Sequence, residues 1–245
     1  MSLVCRRGFV RLGRRSVRNV ARSPFSHAAA RRQSESSSPA PSPLVYPQAS
    51  TTQHTDLTTF LQYAQRSGLD EKSSVYVGTY YEYAVAAALS RYGFALKRIG
   101  GASDLGTDLL GEWKPARTRS PAMRVLLQCK AGAQKPKPQW IRELEGAFAG
   151  APAGWRGAGV LGFLVGEQPA TKGVRESMSR SRWPLGYLCC SREGVLRQML
   201  WNARAEAEGL EGFGVATRHG DAGGEERLVL VRNGKVLPLL EQSVH

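Results

Sequence analysis

The sequence has little of what assembles a soft-ligand metal centre or cross-links a secreted fold. Of its 245 residues only four are cysteine and four histidine. Cys5 lies near the start, Cys129 closes an apolar run, and Cys189 and Cys190 are adjacent. There is no CxxC pair, and His27, His54, His219 and His245 are scattered, so the spacing gives no zinc site. Three cysteines beyond the N-terminal segment make no disulfide framework, as expected of an intracellular protein. No stretch approaches the roughly 18 consecutive apolar residues of a membrane span. An uninterrupted apolar stretch of the secretory type is missing too. Acid is scarcest at the N-terminus, where the first forty residues hold nine arginines, no lysine and a single acid, Glu35.

That imbalance supplies +8 of the formal net charge of +14 and leaves the body only moderately basic. An Arg-rich, Ser-rich, acid-poor start with scattered Val10, Leu12, Val17 and Val20 predicts a mitochondrial transit peptide over residues 1–40 and a matrix location. A basic arm for nucleic acid is the other reading of the same residues. Residues 41–55 are rich in Ser, Pro and Thr and read as a disordered linker. Residues 56–245 then form one domain, and the 42% apolar content of the chain is that of a globular protein.

Periodicity gives the order of elements. Leu57, Phe60, Leu61 and Ala64 mark a short amphipathic helix, and Tyr81, Val85, Ala88, Leu89 and Tyr92 a second one that stops at Gly93. "ALKRIGG", "GTDLLGEW" and "RVLLQCK" read as three strands. Trp140, Leu144 and Phe148 make a helix with a proline-marked entrance. "GAGVLGFLVG" is a strand buried on both faces. "TKGVRESMSRSR" reads as a basic helix, "PLGYLCC" as a strand and "GVLRQMLWNARAEAEG" as a longer C-terminal helix. Asn233-Gly234 between two β-rich runs signals a hairpin, with Pro238 confining the last run to an edge. The predicted class is α/β: an αβββαβ core with a central mixed sheet flanked by helices, plus a C-terminal helix and β-hairpin.

The third strand ends in Gln128-Cys129-Lys130, polar groups where an apolar strand leaves the core. Side chains on one strand face recur at every second position, so Gln128 and Lys130 share a side. If the second and third strands pair, Asp108 projects toward both, and Glu82 reaches the same place from the packed helix. Two carboxylates, an amide oxygen and a lysine suit phosphodiester hydrolysis. Hard Mg²⁺ (or Mn²⁺) takes oxygen ligands, lowers the pKa of a bound water, and leaves a lysine to orient or deprotonate that water and steady the phosphorus centre. Structural roles compete at each position. Thr79 and Glu82 fit a capping box, Asp108 and Asp104 fit turns, Lys130 fits a solvated strand end, and Cys129 fits a packed thiol.

"GGASDLGTDLLGEW", "VLLQCK" and the upstream Glu82 resemble the PD-(D/E)XK restriction-endonuclease-like fold, and its Mrr-type branch in particular. "YVGTYYE", "GGASDLGTDLLGEWKP", "LLQCKA" and "IRELEGAF", in that order, are similar to a fungal mitochondrial family required for respiratory growth. The resemblance covers about Ser73 to Gly166. It implies that Asp108 is the metal-binding aspartate, Gln128 replaces the usual acid, Lys130 is the catalytic lysine, Glu82 is the helix glutamate and the Cys129 carbonyl is a further ligand. It also implies a nucleic-acid substrate, DNA before RNA, and homodimers. Gln128 brings an oxygen but no charge, so a non-catalytic nucleic-acid-binding factor is the alternative, and an assembly factor without nucleic-acid contact a third. The basic residues Arg117, Arg119, Lys135, Lys137, Lys172, Arg175, Arg180 and Arg182 support a polyanionic partner as a group.

Overall fold

The first helix begins where an aspartate can satisfy its open amides. Asp56 accepts from the Thr59 amide at 2.8 Å and Thr59 Oγ1 accepts from the Asp56 amide at 3.1 Å, closing a capping box ahead of α1 (Leu57–Ser67). Gly68, with φ +63°, ends it in the left-handed region that glycine adopts without strain. Helix α2 (Ser74–Ser90) is capped by Ser73, so Thr79 and Glu82 lie well inside it and the capping-box role for that pair is overturned. The computed structural model describes residues 46–47, 51–100, 106–118, 120–219 and 226–241. The transit-peptide reading, the Asp104 turn and Arg119 fall outside them. The described residues belong to one compact unit, Pro43–His245.

The strands β1 (Phe94–Arg98), β2 (Leu109–Trp113), β3 (Met123–Lys130), β4 (Val160–Gly166), β5 (Leu185–Cys190) and β6 (Leu196–Trp201) form one six-stranded sheet in sequence order. The β3–β4 and β4–β5 pairs are parallel and the others antiparallel, so the sheet is mixed as expected. Helices α3 (Pro138–Gly150) and α4 (Lys172–Arg180) supply the crossovers that parallel neighbours need. The central β4 is buried at every residue, with Leu161, Phe163 and Val165 in one core cluster and Val160 and Leu164 in the other. Each face of the sheet therefore has its own core. Helix α2 contributes Tyr81, Val85 and Leu89 to the first, and α3 contributes Ile141, Leu144 and Phe148 to the second.

Register at the β1–β2 edge decides where Asp108 lies. Phe94 pairs with Trp113 across the ladder, their rings stacked at 4.5 Å and 11°. Such a pair adds ~0.5–1.5 kcal/mol beyond its buried area and resists slippage. A one-residue slip would turn every side chain of β1 to the wrong face.

The C-terminal part departs from the expected helix. Residues Leu196–Trp201 are strand β6, and helix survives only as α5 (Ala203–Ala205) with a π-helical turn, Glu206–Leu210. Leu, Arg, Gln and Met favour helix, but the edge of β5 offers a ladder, and the Ser191–Gly194 turn delivers the chain back to it. Strand β7 (Phe213–Arg218), which periodicity did not mark, pairs with β8 (Arg227–Arg232), and β8 with the short β9 (Lys235–Val236). Asn233 (φ +49°) and Gly234 (φ +78°) make the two-residue turn, and β9 ends before Pro238. Two residues of the segment read as a linker pack on the domain. Tyr46 lies against Trp155 with ring centroids 5.0 Å apart, and His54 is buried among Phe60, Tyr63 and Tyr83.

Candidate functional site

The site grows from an irregularity at the start of β2. In a regular antiparallel strand a residue exchanges its N–H and C=O with the same neighbour. Asp108 does not: its amide donates to the Leu127 carbonyl at 2.9 Å, while its carbonyl accepts from Ile99 and Gly100 on the other side at 2.9 and 3.0 Å. The β2–β3 ladder therefore ends at this residue. The Cys129 amide, left without a backbone acceptor on β2, donates to Asp108 Oδ2 at 2.6 Å. One carboxylate oxygen is thus committed to the sheet.

The other oxygen meets Glu82. A Cβ placed on Gly100 would lie 3.4 Å from Asp108 Oδ1 and 3.2 Å from Glu82 Oε2, so the two carboxylates, one from β2 and one from α2, face the same small space. Gln128 follows Leu127, whose carbonyl holds the Asp108 amide, and shares its strand face with Leu126, which packs in the α3 core. Its amide nitrogen lies 3.0 Å from where a Cβ on Gly106 would sit, close to Ala147 of α3. Gln128 is 6% exposed, and its Oε1 finds no hydrogen-bond partner among the described residues; nor does the buried Thr107 Oγ1. Burying an amide oxygen unpaired costs ~1–3 kcal/mol, so an orphan here is a notable exception to ordinary core design.

One cation borders the carboxylates and a second lies on the α3 side of β3. Arg98 Nε pairs with Glu82 Oε2 at 2.5 Å, with side-chain exposures of 12% and 13%. Lys130, on the same face of β3 as Gln128, pairs with Glu143 Oε2 of α3 at 2.8 Å, and Gln139 Nε2 holds the other oxygen at 2.9 Å. The hydrogen bond from Lys130 keeps the Glu143 carboxyl below the usual carboxylate range. The Cys129 thiol is pushed well above its ordinary value by burial first, then by the Asp108 and Glu82 charges. It is no nucleophile as it stands.

Glu82 and Asp108 are thus brought together, whereas Gln128 and Lys130 share the α3 face of β3, with Lys130 held there by Glu143. Sequence reading missed three participants. Arg98 stands directly after Lys97 in the "LKRIGG" strand, Glu143 follows Gln139 by one helical turn, and Thr107 precedes the aspartate. Only the Gln139–Glu143 spacing carried a local signal.

The donors suit a hard divalent cation. Among the described residues no group of three or more His, Cys, Asp and Glu side chains is placed to hold a metal ion. The Glu82 and Asp108 carboxylates are a pair of hard oxygen donors, the type taken by Mg²⁺ or Mn²⁺, which keep much of their water. Gln128 Oε1 is a buried, unpaired acceptor on the adjoining strand.

Fold and site together define an α/β domain with a mixed sheet whose rim brings two carboxylates together beside Arg98. The chain belongs to the family described as required for respiratory growth protein 7, whose family model matches residues 73–121 and 115–218. The matched residues include Glu82, Asp108, Gln128, Cys129 and Lys130. The chain is also similar to a mitochondrial protein of Schizosaccharomyces pombe, with 28% identity over 157 residues that span 63% of this chain and 62% of that one. No solved structure matches. The protein is mitochondrial, and its family serves respiratory growth. None of the described helices is long and apolar enough to cross a membrane.

Proposed function

We propose that this protein is a divalent-cation-dependent nuclease of the mitochondrial matrix, built on a restriction-endonuclease-like core, that hydrolyses phosphodiester bonds in DNA or structured RNA and so supports respiratory growth. The observation that carries it is the convergence of Glu82 and Asp108 on one space, with the orphaned Gln128 oxygen on the adjoining strand β3. The run α2, β1, β2, β3, α3, β4 has the αβββαβ order of that core. A bound Mg²⁺ or Mn²⁺ would supply an activated water and offset charge on the phosphoryl group.

The chain's own residues divide the remaining work. The Cys129 amide fixes Asp108 Oδ2, so its carboxylate is oriented before any ligand arrives. In a regular strand the Cys129 carbonyl opens on the same side as its amide, which makes it the backbone ligand. Glu82 adds the second charge and Gln128 a neutral oxygen. Lys130, held by Glu143, would orient the attacking water and stabilise the crowded phosphorus centre. Removing such a donor costs ~10²–10³ in rate.

The test is cleavage of plasmid, branched DNA and RNA with Mg²⁺ or Mn²⁺ by wild type, Asp108→Asn and Lys130→Ala. Asp108→Asn is preferable to Asp108→Ala because it keeps an oxygen for the Cys129 amide. Cleavage lost in both variants supports the proposal. Cleavage undiminished in either, or absent from wild type, removes it. A second reading, a nucleic-acid-binding factor without catalysis, is favoured by the Arg98 guanidinium already on Glu82. It expects salt-dependent binding that survives both substitutions and no cleavage by any protein.

A further inference from the structure

A second concavity opens on the free edge of the sheet, beside the candidate site. Among the described strands β1 is an edge of the six-stranded sheet, and Thr51, His54 and Thr55 line a cavity together with it. The cavity has a volume of about 340 Å³ and is lined by Thr51, His54, Thr55, Tyr83, Leu96, Lys97 and Arg98. That volume falls within the range of small-molecule sites.

Its chemistry is divided. Lys97 and Arg98 are successive residues of one strand and so belong to opposite faces, which brings a cation to the cavity from either side of the sheet edge. Lys97 Nζ lies 4.3 Å from the centre of the Tyr46 ring and remains exposed, while Arg98 reaches inward to Glu82. No lining residue is acidic. Next to the cations, Leu96, Tyr83 and His54 give an apolar and aromatic wall, with the Arg98 guanidinium 5.7 Å from the centre of the Tyr83 ring. That wall is rigid: the His54 imidazole is fixed by Tyr83 Oη at 2.8 Å and packed on Phe60 and Tyr63. Free phosphate would satisfy the cations and leave the wall unused. A planar apolar body joined to a phosphate uses both, since bases stack on aromatic rings and phosphates pair with Lys and Arg.

We propose that this cavity binds one nucleotide unit of a nucleic-acid strand, with its phosphate between Lys97 and Arg98 and its base against Leu96, Tyr83 and His54. The proposal rests on the reading of the neighbouring site as a phosphodiester site, because Arg98 borders both. It adds the anchor that holds the strand. A strand anchored at the open sheet edge has its adjoining phosphate beside the Glu82 and Asp108 carboxylates.

The experiment measures binding in EDTA, so that no cation-dependent chemistry enters. Adenosine, adenosine 5′-monophosphate, inorganic phosphate and a short single-stranded oligonucleotide are titrated into wild type, Lys97→Ala, Lys97→Arg and Asp108→Asn. The oligonucleotide and the monophosphate should bind wild type, with adenosine and inorganic phosphate much weaker. Lys97→Ala should lose about tenfold, the weight of one charge-assisted contact at a partly exposed position. Lys97→Arg should recover most of it, and Asp108→Asn, which removes an anionic charge beside the adjoining phosphate, should bind the oligonucleotide no more weakly than wild type. Monophosphate binding without oligonucleotide binding would make the cavity a site for a free nucleotide and overturn the anchor. Equal binding by wild type and Lys97→Ala, or none by wild type, overturns the proposal outright. The two readings fail separately: Lys97-dependent binding without cleavage by any variant removes only the catalysis, and cleavage whose KM ignores Lys97 removes only the anchor.

Discussion

Gln128→Met sets stability against function at one atom. The side chain is 6% exposed and its Oε1 is unpaired among the described residues, so the folded protein bears ~1–3 kcal/mol for a desolvated acceptor. Methionine has nearly the same length and no such acceptor. Packing near Gly106 and Ala147, where the Gln128 amide nitrogen now lies, takes back part of the gain. A net stabilisation of ~1 kcal/mol without divalent cation follows, or a rise of ~2–4 °C in Tm for a chain of this size. With cation the order should invert. Wild type at a hundredfold excess of ligand over Kd gains ~2.7 kcal/mol, and the variant, lacking one of three side-chain oxygens, gains much less. The assay is thermal unfolding of both proteins in EDTA and in a Mn²⁺ series, and the expected result is a crossing of the two Tm curves. If the variant melts well below wild type in EDTA, or Mn²⁺ raises both equally, the orphan oxygen is not a ligand held ready and the argument from it fails.

Three other outcomes follow from the geometry. Burial raises the thiols of Cys129, Cys189 and Cys190, the last to about 12, so iodoacetamide at pH 7.5 should label none of them in the native protein at the rate of a free thiol, as read by mass spectrometry. Gly111→Ala would drive a methyl into the Ala95 carbonyl across the β1–β2 ladder, where backbone cannot yield, and should cost more than ~3 kcal/mol in urea unfolding, whereas Gly146→Ala, with open space at its Cβ, should not destabilise. Burial, then Arg98, holds His54 below its ordinary value against a smaller opposing effect of Asp56. The unfolded chain thus binds the proton more readily, and docking of residues 51–55 should be at full strength above about pH 6.5 and weaken as pH falls below it. Tm measured from pH 7.5 to 5.5 should drop more in wild type than in His54→Phe.

Most of the core was legible because each element announces its own period. The stripe Tyr81, Val85, Ala88 and Leu89 could only be a buried helix face, and the unbroken run in β4 only a strand covered twice. Leu196 to Trp201 deceived because its residues favour helix and its strand identity comes from the waiting edge of β5, a partner invisible to any local window. The candidate site was legible to the same extent. Strand parity set Gln128 and Lys130 on one face, and the glycine pair signalled the turn before Asp108. Parity says nothing about reach, however. That Arg98 turns inward to Glu82, and that Lys130 finds Glu143 thirteen residues on, depends on how α2 and α3 lie over the sheet.

Arg98 separates the catalytic reading from the binding-only one. At 2.5 Å from Glu82 in a nearly buried pair, it neutralises one of the two charges a divalent cation would use. A cation arriving alone must share that carboxylate with a guanidinium, and stranding either partner of a buried pair costs several kcal/mol. A phosphate beside Arg98 changes the balance by giving the guanidinium another anion. Cation and nucleic acid should then bind cooperatively, each raising the affinity of the other by the same factor. For a coupling of the usual ~1–3 kcal/mol, that factor is ~5–150. Calorimetric titration of Ca²⁺, an oxygen-liganded ion chosen to slow hydrolysis, with and without an oligonucleotide measures it directly. Equal Ca²⁺ affinity in both titrations would mean that Arg98 stays on Glu82 throughout, and the pair would then be a fixed structural strut between α2 and β1 instead of half of a cation site.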